Sequence, residues 1–378
     1  MIELQNVGFM YAVFFFITVL FSFLINSIFL KFSKTLGVRN HVGDLVRWES
    51  GSKPALGGIS FYILFLLSII AYSIVFDHNQ VLLNTKLLGL IMAVTLAFLM
   101  GLADDAYNTV PLLKISVQIC CGIILIYTGT YITVSSYMPL NYLVTIVWIA
   151  GIMNAMNLID NMDAISTIVS IFIILAAMIV IYLQQDITSI YFLLLIGVLS
   201  SLLGFLYFNW HPSKMYMGDT GSQFLGVFLG IIGIVYFWNF YPQESVLTST
   251  GGEGLQTISL LTTAKNATLA LIVFVIPITD TTTVIINRIG RGTSPFIGGK
   301  DHTTHHLFYM GLSHRKIALL FMLISSFSPL FVYIINALID TWTFFHFGLF
   351  IIYFLTIFGA LFYTTRVPNS ESSQEKLS

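Results

Sequence analysis

Eleven stretches of about 20 apolar residues divide the chain, at roughly 9–30, 56–76, 82–102, 113–134, 139–158, 165–183, 188–208, 220–240, 266–287, 316–338 and 344–364. Wound as helix, a run of that length spans the hydrocarbon layer of a bilayer. Lipid offers no partner to a peptide group, so each run must satisfy its own backbone, as a helix does. The expectation is an all-α polytopic membrane protein with about eleven transmembrane helices, or ten. Composition agrees: 57% of the 378 residues are hydrophobic and 9% are charged, against about a quarter charged in a soluble chain.

The longest gaps, 31–55, 241–265 and 288–315, are each below 30 residues and leave no room for a soluble domain. Residues 1–364 therefore read as one transmembrane helical domain with loops at the membrane surface, and 365–378 as a polar, disordered tail. The first run lacks a basic n-region and a small-residue cleavage site, which favours a retained span. Adjacent Cys120 and Cys121, inside an apolar run, read as buried thiols. A balance of 16 basic against 17 acidic residues gives no attraction for nucleic acid.

Orientation follows from the basic residues. With the N-terminus outside, Lys31, Lys34, Arg39, Arg47, Lys53, Lys114, Lys214, Arg288, Arg291, Lys300, Arg315, Lys316, Arg366 and Lys376 fall inside, and only Lys86 and Lys265 outside. Five polar clusters share that inner face: "SKPALGG" (52–58), "GLADDAYNTVPLLK" (101–114), "NAMNLIDNMDAIS" (154–166), "FNWHPSKMYMGDTGS" (208–222) and "DTTTVIINRIGRGTSPFIGGKDHTTHHL" (280–307).

Asn154, Asn157, Asp160 and Asp163 recur every third residue, a slowly drifting helical stripe that can address one cavity. The bland alternative is a polar helix end. The adjacent carboxylates Asp104 and Asp105 repel each other unless a cation or donors intervene, and Lys114 is the candidate partner. Asp219 sits between Gly218 and Gly221 at a helix start, where free N–H groups suit phosphate. Oxygen donors without a Cys/His set point to Mg²⁺ or Mn²⁺. Arg288, His302, His305, His306 and Lys53 add groups for a substrate carrying several negative charges. Carboxylates for a divalent cation beside bases for phosphate are what phosphoryl transfer at a membrane surface requires.

These motifs resemble the polyprenyl-phosphate N-acetylhexosamine-1-phosphate transferases, a branch of glycosyltransferase family 4, over about residues 35–315. Asp104–Asp105 resemble the family's first acidic pair, and "NAMNLIDNMDA" its Asn-x-x-Asn-x-x-Asp-Gly-x-Asp-Gly motif. "FN" with the Asp of "MGDTGS" resembles its third motif, and "HTTHHL" its histidine loop. The resemblance implies transfer of a sugar 1-phosphate from a UDP-sugar to undecaprenyl phosphate in a bacterial inner membrane, with release of UMP on the cytoplasmic side. It implies Mg²⁺ on Asp219 and Asn157, catalytic roles for Asp104 and Asp105, and support from Asn209. Asn154, Asp160, Asp163, Tyr216, Arg288, His302, His305, His306 and Lys53 would bind substrate, with Tyr216 stacking on uracil and Arg288, His305 and His306 on the diphosphate. The chain departs from the family at Asn161 and Ala164, where glycines are usual, and at Thr303, where related enzymes often carry a further histidine.

Eleven spans and the lack of a three-histidine run lean toward the N-acetylglucosamine branch over the phospho-N-acetylmuramoyl-pentapeptide branch. The partners implied are the UDP-sugar donor, the polyprenyl phosphate acceptor, the bilayer and a second copy of the chain as a homodimer. Two other readings remain at this stage. A transporter would place its site near the midplane, between repeated, broken helices, and no repeat is visible. A membrane diphosphate hydrolase would share the metal logic with water as acceptor.

Overall fold

The computed structural model describes residues 4–33, 53–76, 84–240, 260–294, 299 and 301–366. Thirteen α-helices carry these residues: α1 (Leu4–Phe32), α2 (Gly57–Val75), α3 (Thr85–Tyr107), α4 (Pro111–Tyr127), α5 (Met138–Ile159), α6 (Ile165–Leu183), α7 (Ile190–Asn209), α8 (Gly218–Gly233), α9 (Leu260–Val273), α10 (Val275–Gly290), α11 (Thr303–Tyr309), α12 (His314–Tyr333) and α13 (Phe344–Thr364). Wider π-type turns extend α8 through Trp238 and α12 through Leu338. The one β-type contact among the described residues is a parallel bridge between Ala55 and Tyr216. The all-α expectation holds.

Among the described residues nine helices are long and apolar enough to cross a membrane, and the bent pair α9–α10 makes a tenth. The remaining expected span, 113–134, is the 17-residue α4, at the short end of what crosses a bilayer. It stops early for a local reason. Gly129 adopts a left-handed φ of 84°, and the Thr130 and Gly129 N–H groups return to the carbonyls of Leu125 (2.7 Å) and Ile126 (3.1 Å). That closure satisfies the last carbonyls and ends the helix although apolar residues continue. Cys121 is buried in α4, whereas Cys120 is exposed, which corrects the expectation of two buried thiols.

The expected span 266–287 begins earlier and breaks at Phe274, where α9 and α10 meet at 79°. Pro277 has no N–H to offer the Val273 carbonyl, so the ladder is interrupted there.

α8 is the axis of the bundle, with all but Asp219 of its residues buried, while α1 and α13 turn most of their surface outward. Close approach of backbones sets the packing around α8. A Cβ on Gly58 would strike the Gly221 backbone, and one on Gly101 the backbone of Asp219 and Thr220. Small residues at such crossings let membrane helices touch, and here they press α2 and α3 against the start of α8.

Of the residues used for orientation, Lys34, Arg39, Arg47, Lys300 and Lys376 lie outside the described residues, as does the tail from residue 367. Thr365 and Arg366 form the turn that closes α13.

Candidate active site

The ends of α3, α5, α7 and α10, the starts of α4, α6 and α8, and all of α11 lie on one side of the bundle, and the polar clusters meet there. The α3–α8 contact shapes the centre. Asp105 accepts hydrogen bonds from the N–H groups of Asp219 (2.9 Å) and Thr220 (2.8 Å) and from the Thr220 hydroxyl (2.6 Å). These are the unsatisfied donors of a helix start, and a carboxylate there also complements the helix dipole. Both Asp105 oxygens are thereby engaged with the start of α8, next to Asp219.

Asp104 faces the other way on the same helix end. Its Oδ1 accepts from the Thr109 N–H at 2.8 Å, and its Oδ2 pairs with Lys114. Lys114 also lies 3.6 Å from Asp219 Oδ2, and the Asp104 and Asp219 carboxyl groups lie within hydrogen-bonding reach of each other. Lys114 answers the repulsion foreseen for the acidic pair. It does so between Asp104 and Asp219, because Asp105 is turned away.

Asn157 donates its amide to Asp219 Oδ1 and to the Ser222 hydroxyl at 2.9 Å. The four-residue stripe does not converge on this point. Asn154 exchanges hydrogen bonds with Gln118 at 2.8 and 3.1 Å, and Gln118 reaches Gln223 at 3.4 Å. This ladder of amides joins α4, α5 and α8 beneath the acids. Asp160 caps α5. Asp163 accepts from Ser213 N–H (3.1 Å) and Oγ (2.7 Å) and pairs with His211 Nδ1 at 2.8 Å. Asn154 and Asp163 thus bond to the walls of the site, away from Asp219.

Asn209 is likewise redirected. It is buried, accepts from Ala164 N–H (3.1 Å) and Thr167 Oγ1 (2.8 Å), and donates to the Met215 carbonyl at 3.2 Å. It does not support the Asp219 centre directly. It holds Ala164, a non-glycine residue at φ 65°, in a conformation that L residues seldom adopt. Tyr216 and Lys53 do meet: Pro54 accepts the Tyr216 N–H at 3.0 Å, Lys53 Nζ donates to Ser213 Oγ at 3.3 Å, and Nζ stands 5.4 Å from the Tyr216 ring centre.

The histidine segment folds as α11 and is fastened to α10. Fully buried Asp280 accepts from Thr303 N–H (2.9 Å) and Oγ1 (2.6 Å) and pairs with His302 Nδ1 at 2.8 Å. The Arg288 fork grips Asp301 through Nε (2.8 Å) and Nη2 (2.7 Å). Burial raises the Asp301 carboxyl, but the Arg288 fork outweighs it and holds the group below the usual carboxylate range. His302 and the Arg288 fork thus fasten α11 to α10. His305 and His306 lie beyond them. Burial first, then His302, lowers His305 to about 4, and burial with Arg291 lowers His306. Near neutral pH His305 is an uncharged imidazole.

Among the described residues no group of three or more His, Cys, Asp or Glu side chains gathers as a ready metal cage. The donors still suit Mg²⁺, which takes one or two carboxylates and completes its shell with substrate phosphates and water. Asp219 is the acid that fits. Its side chain is 31% exposed, enough to be reached from solvent, with the Asn157 amide and Ser222 hydroxyl beside it.

Several participants were not singled out from sequence: Gln118, Ser222, Gln223, Asp280, Asp301 and Thr304. Gln118 and Asp280 had a usable signal, since a polar side chain inside an apolar run is costly and asks for a partner. The others sit among polar neighbours that gave no contrast.

Residues 87–237 match the sequence profile of glycosyl transferase family 4. The chain is 29% identical over 314 residues to a probable undecaprenyl-phosphate N-acetylglucosaminyl 1-phosphate transferase of Bacillus subtilis, covering 81% of this chain and 78% of that one. It is 26% identical to a decaprenyl-phosphate N-acetylglucosaminephosphotransferase of Mycolicibacterium smegmatis, over 71% of this chain and 68% of the other. A phospho-N-acetylmuramoyl-pentapeptide-transferase of Streptococcus agalactiae is also 26% identical, over 54% of this chain and 66% of its own.

Proposed function

We propose, from the premise that the chain belongs to glycosyl transferase family 4, that it transfers N-acetylglucosamine 1-phosphate from UDP-N-acetylglucosamine to undecaprenyl phosphate. An oxygen of the lipid phosphate attacks the phosphorus that bears the sugar, the bond to UMP breaks, and a diphosphate-linked lipid sugar remains. The observation that carries this reading is the grouping of Asp104, Lys114, Asn157 and Asp219 at one end of an apolar bundle. There a soluble donor and a membrane-held acceptor meet.

Asp219 and Asn157 would hold Mg²⁺, which when bound offsets the charge of the donor diphosphate. Asp104 is the acid placed beside the incoming phosphate, as the base that takes its proton when it attacks. Lys114, between Asp104 and Asp219, supplies positive charge where phosphate oxygens gather. His305, uncharged near neutral pH, serves as a hydrogen-bonding partner, so Lys114 and Lys53 carry the cationic role. The basic residues favour the cytoplasmic side for this end of the bundle and the inner membrane as its location.

The N-acetylglucosamine branch is preferred because its relatives align over more of the chain, 81% and 71% against 54%. Membranes carrying the protein, incubated with radiolabelled UDP-sugars, undecaprenyl phosphate and Mg²⁺, should give labelled lipid with UDP-N-acetylglucosamine. Label from UDP-N-acetylmuramoyl-pentapeptide alone would move the chain to the other branch, and label from neither would reject the reading. Asp219→Asn should abolish the Mg²⁺-dependent exchange of UMP with the donor in a folded protein, and retained exchange would remove it from the metal site.

A further inference from the structure

Two walls of the site are built separately. One is the end of α5 with its following turn, carrying Asn157 and Asp160. The other is α11 with His305 and His306, held to α10 through Asp280 and Arg288. Asn161 joins them. Its Oδ1 accepts the Thr304 hydroxyl at 2.7 Å, and its Nδ2 donates to the Leu158 carbonyl at 2.9 Å. Thr304 is fully buried, so no water replaces a lost partner cheaply. The Leu158 contact fixes the Asn161 amide, and its oxygen is thereby aimed at α11. The bond spans 143 positions of sequence and ties two segments that have no helix in common.

We propose that Asn161 and Thr304 are positioning residues whose hydrogen bond sets the gap between the acidic turn and the histidine pair, and thereby the affinity for the nucleotide-sugar donor. The inference rests on the transferase reading, in which Asp160, His305 and His306 face the donor while the lipid phosphate approaches from the Asp104 side. The latch acts on donor binding and leaves the acceptor side alone.

Full-length protein in nanodiscs tests this with Thr304→Val, Thr304→Ser and Asn161→Ala. Thr304→Val keeps the shape and removes the hydroxyl; Thr304→Ser keeps the hydroxyl. Thr304→Val and Asn161→Ala should each raise the donor KM roughly threefold to tenfold, the worth of one hydrogen bond. The acceptor KM should stay put and kcat within about twofold. Thr304→Ser should restore the donor KM, and the double variant should be no worse than either single one, as for partners in one contact. An unchanged donor KM in Thr304→Val, equal rises in both KM values, or additive losses would overturn the latch.

Hydrogen exchange separates this from a failure of the transferase reading. The amides of α11 should exchange faster in Thr304→Val and not in Thr304→Ser, whatever the enzyme turns over. Unchanged protection in Thr304→Val sinks the latch even with the transferase intact. A wild-type chain without transfer, but with faster exchange in Thr304→Val, sinks the donor role and with it the proposal.

Discussion

His305 shows how burial chooses the chemistry of a side chain. An imidazole removed from water and set beside His302 loses its proton near pH 4, compared with about 6.5 in an unfolded chain. The folded state therefore binds fewer protons, and the stability that this group contributes is complete above about 6.5. It is lost as pH falls toward 4. Thermal unfolding between pH 7 and 4 should show the wild type losing more stability than His305→Gln, and parallel losses would refute the assignment. The same scale explains why a stripe of amides and acids read from sequence did not become one cavity. Three residues advance about 300° on a helix, so the direction slips back about 60° at each step. Over Asn154, Asn157, Asp160 and Asp163 that sums to about half a turn, and α5 ends before Asp163. Asn157 faces Asp219, Asn154 faces Gln118, and Asp163 turns to His211 and Ser213. The residue types were legible; the direction each points depends on neighbours far along the chain.

Helices were easier to read than their ends. Apolar length alone located the spans, since lipid demands an internally bonded backbone. The exceptions had local causes: the closure at Gly129 that shortens α4, the Pro277 break between α9 and α10, and seven-residue α11, whose short polar sequence carries no apolar period. The paired aspartates stood out as an electrostatic problem, but the division between them required α3 and α8 to be in contact. That division is testable. Asp105→Asn leaves one acceptor oxygen where three donors of α8 converge, so it should lower Tm by a few degrees and turnover at least tenfold. Asp104→Asn should lower turnover with little change in Tm. A Tm for Asp105→Asn equal to that of wild type would mean that the start of α8 does not depend on α3.

Among the described residues, the acids and bases of the candidate site meet at one end of an apolar bundle. Cysteine placed at Lys214, beside the site, should react with a membrane-impermeant thiol reagent only in inside-out vesicles. Cysteine at Lys86, at the opposite end, should react only in right-side-out ones, and the reverse pattern would invert the topology. The histidine end has a further dependence. α10 carries Asp280, Asn287 and Arg288, groups that a lone helix would keep out of lipid. It packs on α5 and α13, and buried Asn287 donates to Thr365, just past α13, at 2.9 Å. The wall that bears His305 thus leans on α13, made more than fifty residues after α10, so that wall stays unfinished until α13 has been made and has packed against α10.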